Sequence, residues 1–519
     1  MQSKAPKTCS QFVTQQIITY SKIEKMKNFN LYIMLFAVLV MSACTKDFEE
    51  INIDPNAPTE AHSGSLLPSA IFGPINAHLN VQLELTNQVM QYKVYRNANE
   101  LDAYDFASGG NTFAAFWAAA YKAMRDNNES IIYAQANKLN AYDAAAKILN
   151  AFHMASLTEM WIDIPSSEAA KGLDNVQPSY DSQAAVYSQV LTLLEEANQL
   201  LASDTEGFVL AGDVLFDGDV MKWRKMANSL RLRYLLRLSN VPSIDAATKI
   251  NTIVSDPGTY PIIESNDEAA IYDFTGIAPN TSDFSLRTAL GGLSPSVRFV
   301  NVLDGVDPDD DSDDDPRLGF FADKPIDESV ANEPYYVGVA SGTTREVAQG
   351  TGGNAEQFAS QFTTKFQNDR GLLDFVYISH AEVQFILAEA SLNGWITTAT
   401  AQEYFENGIV GNFAYWNLPM PADFLTRADV AWDGSMEQLM EQKWIAMFFN
   451  NTLEMWGNYK RTGLPNLIPG PLATSITNGT VPTRVFYPSL EQSVNATNYN
   501  AASSSIGGDI ITAKHWYQN

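Results

Sequence analysis

The most informative stretch of the sequence reads Asn228-Ser229-Leu230-Arg231-Leu232-Arg233-Tyr234-Leu235-Leu236-Arg237. Leu232, Leu235 and Leu236 recur at three- and four-residue spacing, which predicts an α-helix with one apolar face. Arg233 and Arg237 lie four residues apart and therefore share an edge of that helix. Because the chain is acidic, we expect these arginines to pair with carboxylates of neighbouring helices rather than with an anionic ligand.

The same periodicity recurs on both sides of this stretch. Helices are predicted from Asn111 to Lys138, Tyr142 to Trp161, Asp181 to Ala202, Val220 to Leu238, Tyr377 to Leu392, Thr400 to Tyr415 and Ser435 to Phe449. Glu382 and Glu389 lie seven residues apart on one of them, so they share a face and are plausible partners for the arginines. Helix pairs of about 34 residues favour tetratricopeptide-like stacking, although no strict repeat consensus is visible. The sequence predicts an all-α dominated fold with long irregular loops and little β structure.

Three regions are expected along the chain. Residues 1–43 are an over-extended start followed by an export signal, residues 44–69 a lipidated N-terminus and tether, and residues 70–519 a single domain. Within the domain, segments 70–240 and 375–450 form the helical scaffold. Segments 241–374 and 451–519 are rich in loop-forming residues, and we expect them to carry the ligand side.

The composition is that of a folded, acidic protein. Of 519 residues, 45% are hydrophobic, 18% charged and 11% aromatic, which permits a substantial core. The formal charge is -27, and without residues 1–43 the balance becomes 28 basic against 59 acidic residues, or -31. Phosphate backbones need a basic face, so nucleic acid is excluded as an expected partner. Trp117, Trp223 and Trp444 lie inside helical patterns and are assigned to the core.

The N-terminal region carries an export signal. A charged start after Met26 is followed by a short apolar run and then by Met41-Ser42-Ala43-Cys44. Small residues before a cysteine resemble the lipobox of bacterial lipoproteins, in which the thiol receives diacylglycerol, so Cys44 is the predicted lipidation site. Met26 is then the expected initiator, and Cys9, the other cysteine, is absent from the mature chain. The acidic cluster after Cys44 resembles a surface-export signal of Bacteroidetes lipoproteins.

Several longer strings carry a family resemblance that covers residues 44 to 519. They run from Asp47 to Asn56 (DFEEINIDPN), Trp161 to Ala169 (WIDIPSSEA), Trp223 to Arg233 (WRKMANSLRLR), Ala381 to Ala390 (AEVQFILAEA), Glu441 to Phe448 (EQKWIAMF), Tyr459 to Gly463 (YKRTG) and Arg484 to Pro488 (RVFYP). In this order and spacing they resemble the SusD-like branch of the SusD/RagB family of outer-membrane nutrient-binding lipoproteins of Bacteroidetes.

The resemblance implies a fold, a function and a partner. The fold would be four tetratricopeptide-like helix pairs with the ligand site on loops above them. The function would be capture of a glycan or oligosaccharide at the outer surface of the outer membrane. The partner would be a SusC-like TonB-dependent transporter, over which the lipoprotein sits as a lid. A lid for oligopeptides is the main alternative, since an acidic surface suits cationic peptides, and a surface adhesin is a third.

Catalysis is not expected. Neither a G-x-S-x-G elbow nor an H-E-x-x-H motif occurs, and the five histidines show no ligand spacing. His153 and His380 lie on helical stretches and are interpreted as core imidazoles. Glu159 and Asp163 form an i, i+4 pair beside Trp161, to which we assign a structural, loop-fixing role rather than glycoside hydrolysis.

An acidic run is the sharpest local feature of the middle segment. Eight aspartates fall between Asp304 and Asp315. Calcium takes six to eight oxygen ligands, but the EF-hand template fails here, because Ser312 and Leu318 stand at its glycine and glutamate positions. A solvated acidic loop is the first interpretation and an irregular calcium site the second, with no cofactor required. The candidate calcium ligands are Asp307, Asp309, Asp311 and Asp313.

Aromatic residues among amides and carboxylates mark the candidate glycan contacts, since sugars present flat C–H faces and many hydroxyls. The main candidate stretch runs from Gln91 to Tyr104, and shorter ones surround Tyr272-Asp273-Phe274, Asp283-Phe284 and Trp432-Asp433. The predicted ligand-binding residues are Tyr95, Asn97, Asn99, Tyr104, Phe274, Phe284 and Trp432. For each of them, packing on the scaffold is the competing interpretation.

Overall fold

The structure is a computed structural model. It describes residues 62–95, 101–106, 112–171, 175–203, 210–278, 280–282, 293–305, 313–325, 336–348 and 359–518.

The predicted scaffold helices form, and they pack in sequential pairs. The first pairs are α3 (Thr112–Asn137) with α4 (Asn140–Trp161) and α5 (Gln183–Ala202) with α6 (Val220–Arg237). The later pairs are α10 (His380–Leu392) with α11 (Ala401–Tyr415) and α12 (Met436–Met447) with α13 (Thr452–Thr462). Helix α4 also packs on α5, and α6 on α10, so the pairs form a continuous scaffold. The predicted fold class is confirmed.

Polar side chains set several of these helix boundaries. Asp219 accepts hydrogen bonds from the backbone N–H groups of Met221 and Lys222 and so begins α6. Thr400 and Glu403 form a reciprocal capping box at the start of α11. Such caps satisfy the first N–H groups of a helix, which explains why the sequence predicted these boundaries to within a few residues.

Two helices precede the scaffold. Helix α1 spans Ser63–Phe72, and α2 spans Ile75–Val81 and continues through a π-helical segment, Gln82–Thr86, and a short α segment, Asn87–Val89. Helix α1 begins inside the segment predicted as a tether, which corrects that expectation. Leu67 and Ile71 bury the inner face of α1 against α3 and α4, which explains why the chain is helical there.

The remaining elements are short. The helices are α7 (Ala246–Ser255), α8 (Val297–Leu303), α9 (Pro316–Phe321), α14 (Pro471–Thr477), α15 (Ser489–Val494) and α16 (Ala496–Ser505), with single turns at Arg345–Ala348 and Lys365–Asn368. The strands are β1 (Lys93–Tyr95), β2 (Ala270–Tyr272), β3 (Leu293–Pro295), β4 (Ala322–Asp323), β5 (Gln361–Phe362) and β6 (Phe375–Ile378). They pair antiparallel as β1 with β3, β2 with β6 and β4 with β5. Helices α13 to α16 correct the expectation that residues 451–519 are mainly loop.

The core extends through the whole scaffold and contains many aromatic rings. Trp223 and Trp444 are fully buried and Trp117 is buried, as predicted. Tyr92 stacks on Trp444 with ring centroids 4.4 Å apart, which ties the chain just after α2 to α12.

A network of buried ion pairs joins the helices inside this core. Arg233 of α6 binds Glu382 of α10 through two hydrogen bonds of 2.5 and 2.7 Å, and Arg461 of α13 binds Glu389 in the same bidentate way at 2.6 and 2.7 Å. Arg237 lies 2.6 Å from Glu454. The predicted pairing of the α6 arginines with carboxylates on other helices is confirmed. Bidentate geometry satisfies the buried charges, which would otherwise destabilise the fold.

Glu159 of α4 is the most connected carboxylate of this network. It accepts hydrogen bonds from Lys460 at 2.9 Å, from Tyr517 at 2.7 Å and from Tyr187. Burial alone would raise the pKa of Glu159, but Lys460 and Arg237 outweigh burial and hold the pKa well below its usual range. Burial lowers the pKa of Lys460 to about 8 despite this pairing. A carboxylate so fully engaged has no oxygen left for chemistry, which fits the structural role assigned to Glu159.

Candidate ligand-binding site

A solvent-open pocket of about 420 Å³ lies where helix α8 and three other segments of the chain meet. It is lined by Gln91, by Val297, Arg298, Asn301 and Val302 of α8, by Ala340, Ser341 and Thr343, and by Ile468, Pro469, Gly470 and Pro471. A pocket of this size holds a sugar unit or a short peptide side chain with room for water. One wall belongs to the stretch from Gln91 to Tyr104, the main candidate of the sequence.

Gln91 fixes two walls of the pocket to each other. Its side-chain amide donates to the carbonyl of Ile468 at 2.6 Å and accepts from the N–H of Ile468 at 3.1 Å. The backbone of Gln91 is left-handed, with φ of 57°, which directs the chain from α2 into β1. Strand β1 then pairs with β3, and β3 leads directly into α8 and its pocket residues.

Two glycines bring the other walls together. Gly342 has φ of 61°, and a Cβ atom at this position would lie 2.9 Å from the carbonyl oxygen of Asp102 and 3.1 Å from Cα of Gly470. The N–H of Leu472 donates to the carbonyl of Gly342 at 3.0 Å. Loop 340–343 therefore touches loop 468–471 backbone to backbone, which a larger residue would prevent.

Arg298 is the charged side chain of the pocket, and it is held on three sides. Its guanidinium donates to Glu441 at 3.0 Å and to the carbonyl of Asn466 at 2.8 Å, and it lies 5.1 Å from the ring centroid of Trp444. The pocket consequently contains a neutralised ion pair and no uncompensated positive charge at this wall.

None of the described residues that were predicted to contact the ligand is among those that line this pocket. Tyr95 is half-buried in β1, four residues after the pocket residue Gln91. Tyr104 is 1% and Phe274 2% exposed, so neither of these rings offers a face to a ligand in this structure. Trp432 packs on Phe405 with ring centroids 4.8 Å apart and is not among the residues that line the pocket. Asn97, Asn99 and Phe284 lie outside the described residues.

Sequence reasoning missed most of the pocket-lining residues, namely Arg298, Asn301, Thr343 and Ile468. None of these four side chains is aromatic, whereas the sequence prediction rested mainly on aromatic rings. The proline- and glycine-rich stretch from Leu467 to Pro471 was the one available signal, since it marks a rigid surface loop.

The loop that contains Asp273 and Phe274 lies against a carboxyl group with a raised pKa. Burial and the neighbouring Asp273 carboxyl raise the pKa of Asp374 to about 8. The backbone N–H of Phe274 donates to Asp374 at 3.3 Å, which ties this loop to the start of β6. The Phe274 loop is therefore held to the scaffold rather than presented to solvent.

The acidic run is only partly within the described residues, since Asp307, Asp309 and Asp311 lie outside them. Asp315 caps α9 and binds Arg317 at 2.6 Å, so its role is structural. Among the residues that the structure describes, no group of three or more acidic, histidine or cysteine side chains could hold a metal ion. The calcium site formed by Asp307, Asp309, Asp311 and Asp313 stays a prediction.

Two histidines that are distant in sequence meet in the core. His78 Nε2 lies 3.4 Å from His153 Nδ1, and both rings are buried among phenylalanines. Burial lowers the pKa of His153 to about 3, and burial together with His153 holds the pKa of His78 well below its usual value. His153 is thus a core imidazole, as interpreted, whereas His380 is partly exposed at the start of α10.

Asp163 also has the loop-fixing role assigned to it. It accepts hydrogen bonds from the backbone N–H of Gln183 at 2.9 Å and from the hydroxyl of Ser505 at 2.7 Å. These bonds tie the end of α4 to the start of α5 and to α16.

A scaffold of paired helices that holds an open pocket on its loops defines a ligand-binding protein. The chain belongs to the SusD-like family, whose sequence profile, described as starch-binding and associating with the outer membrane, matches residues 55–488. By family and fold it is a binding protein and not an enzyme. Its family members bind nutrients such as glycans and are associated with the outer membrane.

Solved structures share the fold over most of the chain. A SusD homologue from Bacteroides fragilis is 22% identical, with a TM-score of 0.71 over 89% of this chain and 100% of its own. A protein described as chitin-binding is 25% identical, with a TM-score of 0.73 over 88% of this chain and 99% of its own. A chitin-binding SusD homologue from Flavobacterium johnsoniae is 21% identical, with a TM-score of 0.70 over 88% and 98%. No functionally curated protein matches the sequence.

None of the described helices combines the length and the apolar character needed to cross a bilayer.

Proposed function

We propose that this protein captures glycans at the outer face of the outer membrane and passes them to a SusC-like TonB-dependent transporter. The observation that carries the proposal is the pocket formed by Gln91, α8 and loops 340–343 and 468–471, which is open to solvent and built on a rigid scaffold. Family membership supports a glycan ligand, and two proteins of the same fold are described as chitin-binding.

The anchor is part of the proposal. Cys44 follows a short apolar run and two small residues, which supports lipidation at this thiol and attachment through acyl chains. The acidic cluster behind Cys44 supports display on the cell surface.

Ligand class and partner are tested by two measurements. The lipid-free mature chain, screened against panels of neutral oligosaccharides and of oligopeptides, should bind at least one oligosaccharide and no peptide with comparable affinity.

The tagged full-length protein, purified from outer membranes in mild detergent, should bring a TonB-dependent barrel with it. Binding of peptides alone would contradict the glycan function, and purification without a barrel would favour the adhesin.

A further inference from the structure

The walls of the pocket are aliphatic rather than aromatic. Val297, Val302, Ile468, Pro469 and Pro471 contribute its apolar surface, and none of the described lining residues has an aromatic ring. Ile468 is 73% and Val297 39% exposed, so this surface is already in contact with water. A flat sugar ring gains little from such walls, whereas a compact apolar substituent would release that water and bury methyl and methylene groups.

The polar groups of the pocket are few, and most are engaged. The Gln91 amide is bound to Ile468, and the Arg298 guanidinium to Glu441 and Asn466. Asn301 is exposed on α8, and its side-chain amide makes no hydrogen bond to the described part of the chain. A planar amide of this kind donates one hydrogen bond and accepts another, which complements a second amide better than a single hydroxyl.

The charges disfavour ionic ligands. Glu441 neutralises Arg298, so an anionic sugar would have to displace an existing ion pair. A cationic ligand would meet the guanidinium itself at the same wall. The site is therefore suited to a neutral ligand that carries both an amide and a small apolar group.

We infer that the pocket binds the 2-acetamido group of an N-acetylated amino sugar within an oligosaccharide. The inference rests on the proposed glycan function and names its substrate class. The acetyl methyl lies against Val297 and Ile468, and the acetamido N–H and C=O pair with the side-chain amide of Asn301. A sugar with a hydroxyl at the same carbon places a polar group against the aliphatic wall and loses both contacts.

Calorimetry with two β-1,4-linked hexasaccharides tests the inference, because chitohexaose and cellohexaose differ only in the acetamido or hydroxyl group at C2. We expect chitohexaose to bind about tenfold or more tightly than cellohexaose. Asn301→Ala and Ile468→Ser should each weaken chitohexaose binding several-fold. Ile132→Ser removes a similarly exposed isoleucine, 63% exposed on α3, and should leave binding unchanged.

The possible failures are distinguishable. Equal or tighter binding of cellohexaose would overturn the acetamido preference and leave glycan capture standing. Chitohexaose binding that is unaffected by both pocket variants would overturn the assignment to this pocket. If no oligosaccharide bound and peptides did, the inference and the proposed function would fall together.

Discussion

At the scale of single residues, the ion pairs of α6 could be predicted in outline. The arginines and Glu382 lie on helices whose apolar periodicity is visible in the sequence. Arg233 was placed on the cationic edge of its helix and Glu382 on a face shared with Glu389, and the structure joins the two residues. The pairing of Glu159 with Lys460 was not predictable, since 301 residues separate them and neither local pattern points to the other. The same holds for His78 and His153, which only tertiary packing brings together.

The buried histidines predict that stability falls on acidification. The pKa of His153 is lowered to about 3 in the folded state, against about 6.5 when unfolded, so the unfolded chain takes up the proton first as the pH drops. Stability is fully present above pH 6.5 and is lost as the pH falls towards 3. At pH 5 this one imidazole should cost about 2 kcal/mol of unfolding free energy.

Urea unfolding of the wild type and of His153→Leu at pH 7.5 and pH 5 measures this loss. The variant should show a smaller difference between the two pH values. His62→Gln, at an exposed histidine, is the control and should keep the wild-type difference. An identical pH dependence in wild type and His153→Leu would show that His153 does not titrate on unfolding.

At the scale of elements, the long helices were predicted well. Their apolar periodicity and their N-caps indicate the same start, as at Asp219 and Thr400. Helix α13 was missed because its eleven residues contain few aliphatic side chains and lie next to a loop-rich terminus. Its helical state depends on tertiary burial of Met455 and Trp456, which sequence periodicity alone does not reveal. Helix α1 was missed because its first residues belong to a stretch rich in Asn, Pro, Ser and Thr, which was interpreted as a tether, although Leu67 and Ile71 are buried.

The close backbone contact at Gly342 predicts that substitution of this glycine weakens ligand binding, whereas substitution of a glycine without such a contact does not. Gly342→Ala places a Cβ atom 2.9 Å from the Asp102 carbonyl, so loop 340–343 must shift, and φ of 61° adds strain. Gly394→Ala has comparable strain, with φ of 71°, but its Cβ would meet nothing within 4 Å. Each change should lower the unfolding free energy by about 1 kcal/mol through strain. Calorimetry should show a lower ligand affinity only in Gly342→Ala. A similar loss of affinity in both variants would show that the contact at Gly342 is not what shapes the binding site.

At the scale of the whole molecule, the fold could be predicted and the pocket could not. The fold follows from repeated local patterns, each of which is complete within one helix. The pocket combines residues from position 91 to position 471, and in the sequence only the stretches from Gln91 to Tyr104 and from Leu467 to Pro471 give any sign of it. Tyr104 and Phe274 were chosen because aromatic rings attract attention in a sequence, yet burial in the core accounts for both.

The proposed lipid anchor at Cys44 predicts where the whole molecule is located. Cys44→Ala, expressed in the native host, should lose metabolic labelling with palmitate and move from the membrane fraction to the soluble fraction, because no acyl chain then holds it. A parallel Cys9→Ala variant should behave as the wild type, since Met26 is the expected start. Retention of Cys44→Ala in the membrane would remove the lipid anchor from the proposal.

The Glu159 network has a consequence for biosynthesis. Lys460 and Tyr517 donate hydrogen bonds to the Glu159 carboxylate on α4, and they follow Glu159 in the sequence by 301 and 358 residues. During translation, Glu159 is therefore made long before the residues that compensate its buried charge. Until Lys460 and Tyr517 have been made, burial of Glu159 would leave a carboxylate without its ammonium and hydroxyl partners, which disfavours early closure of this part of the core.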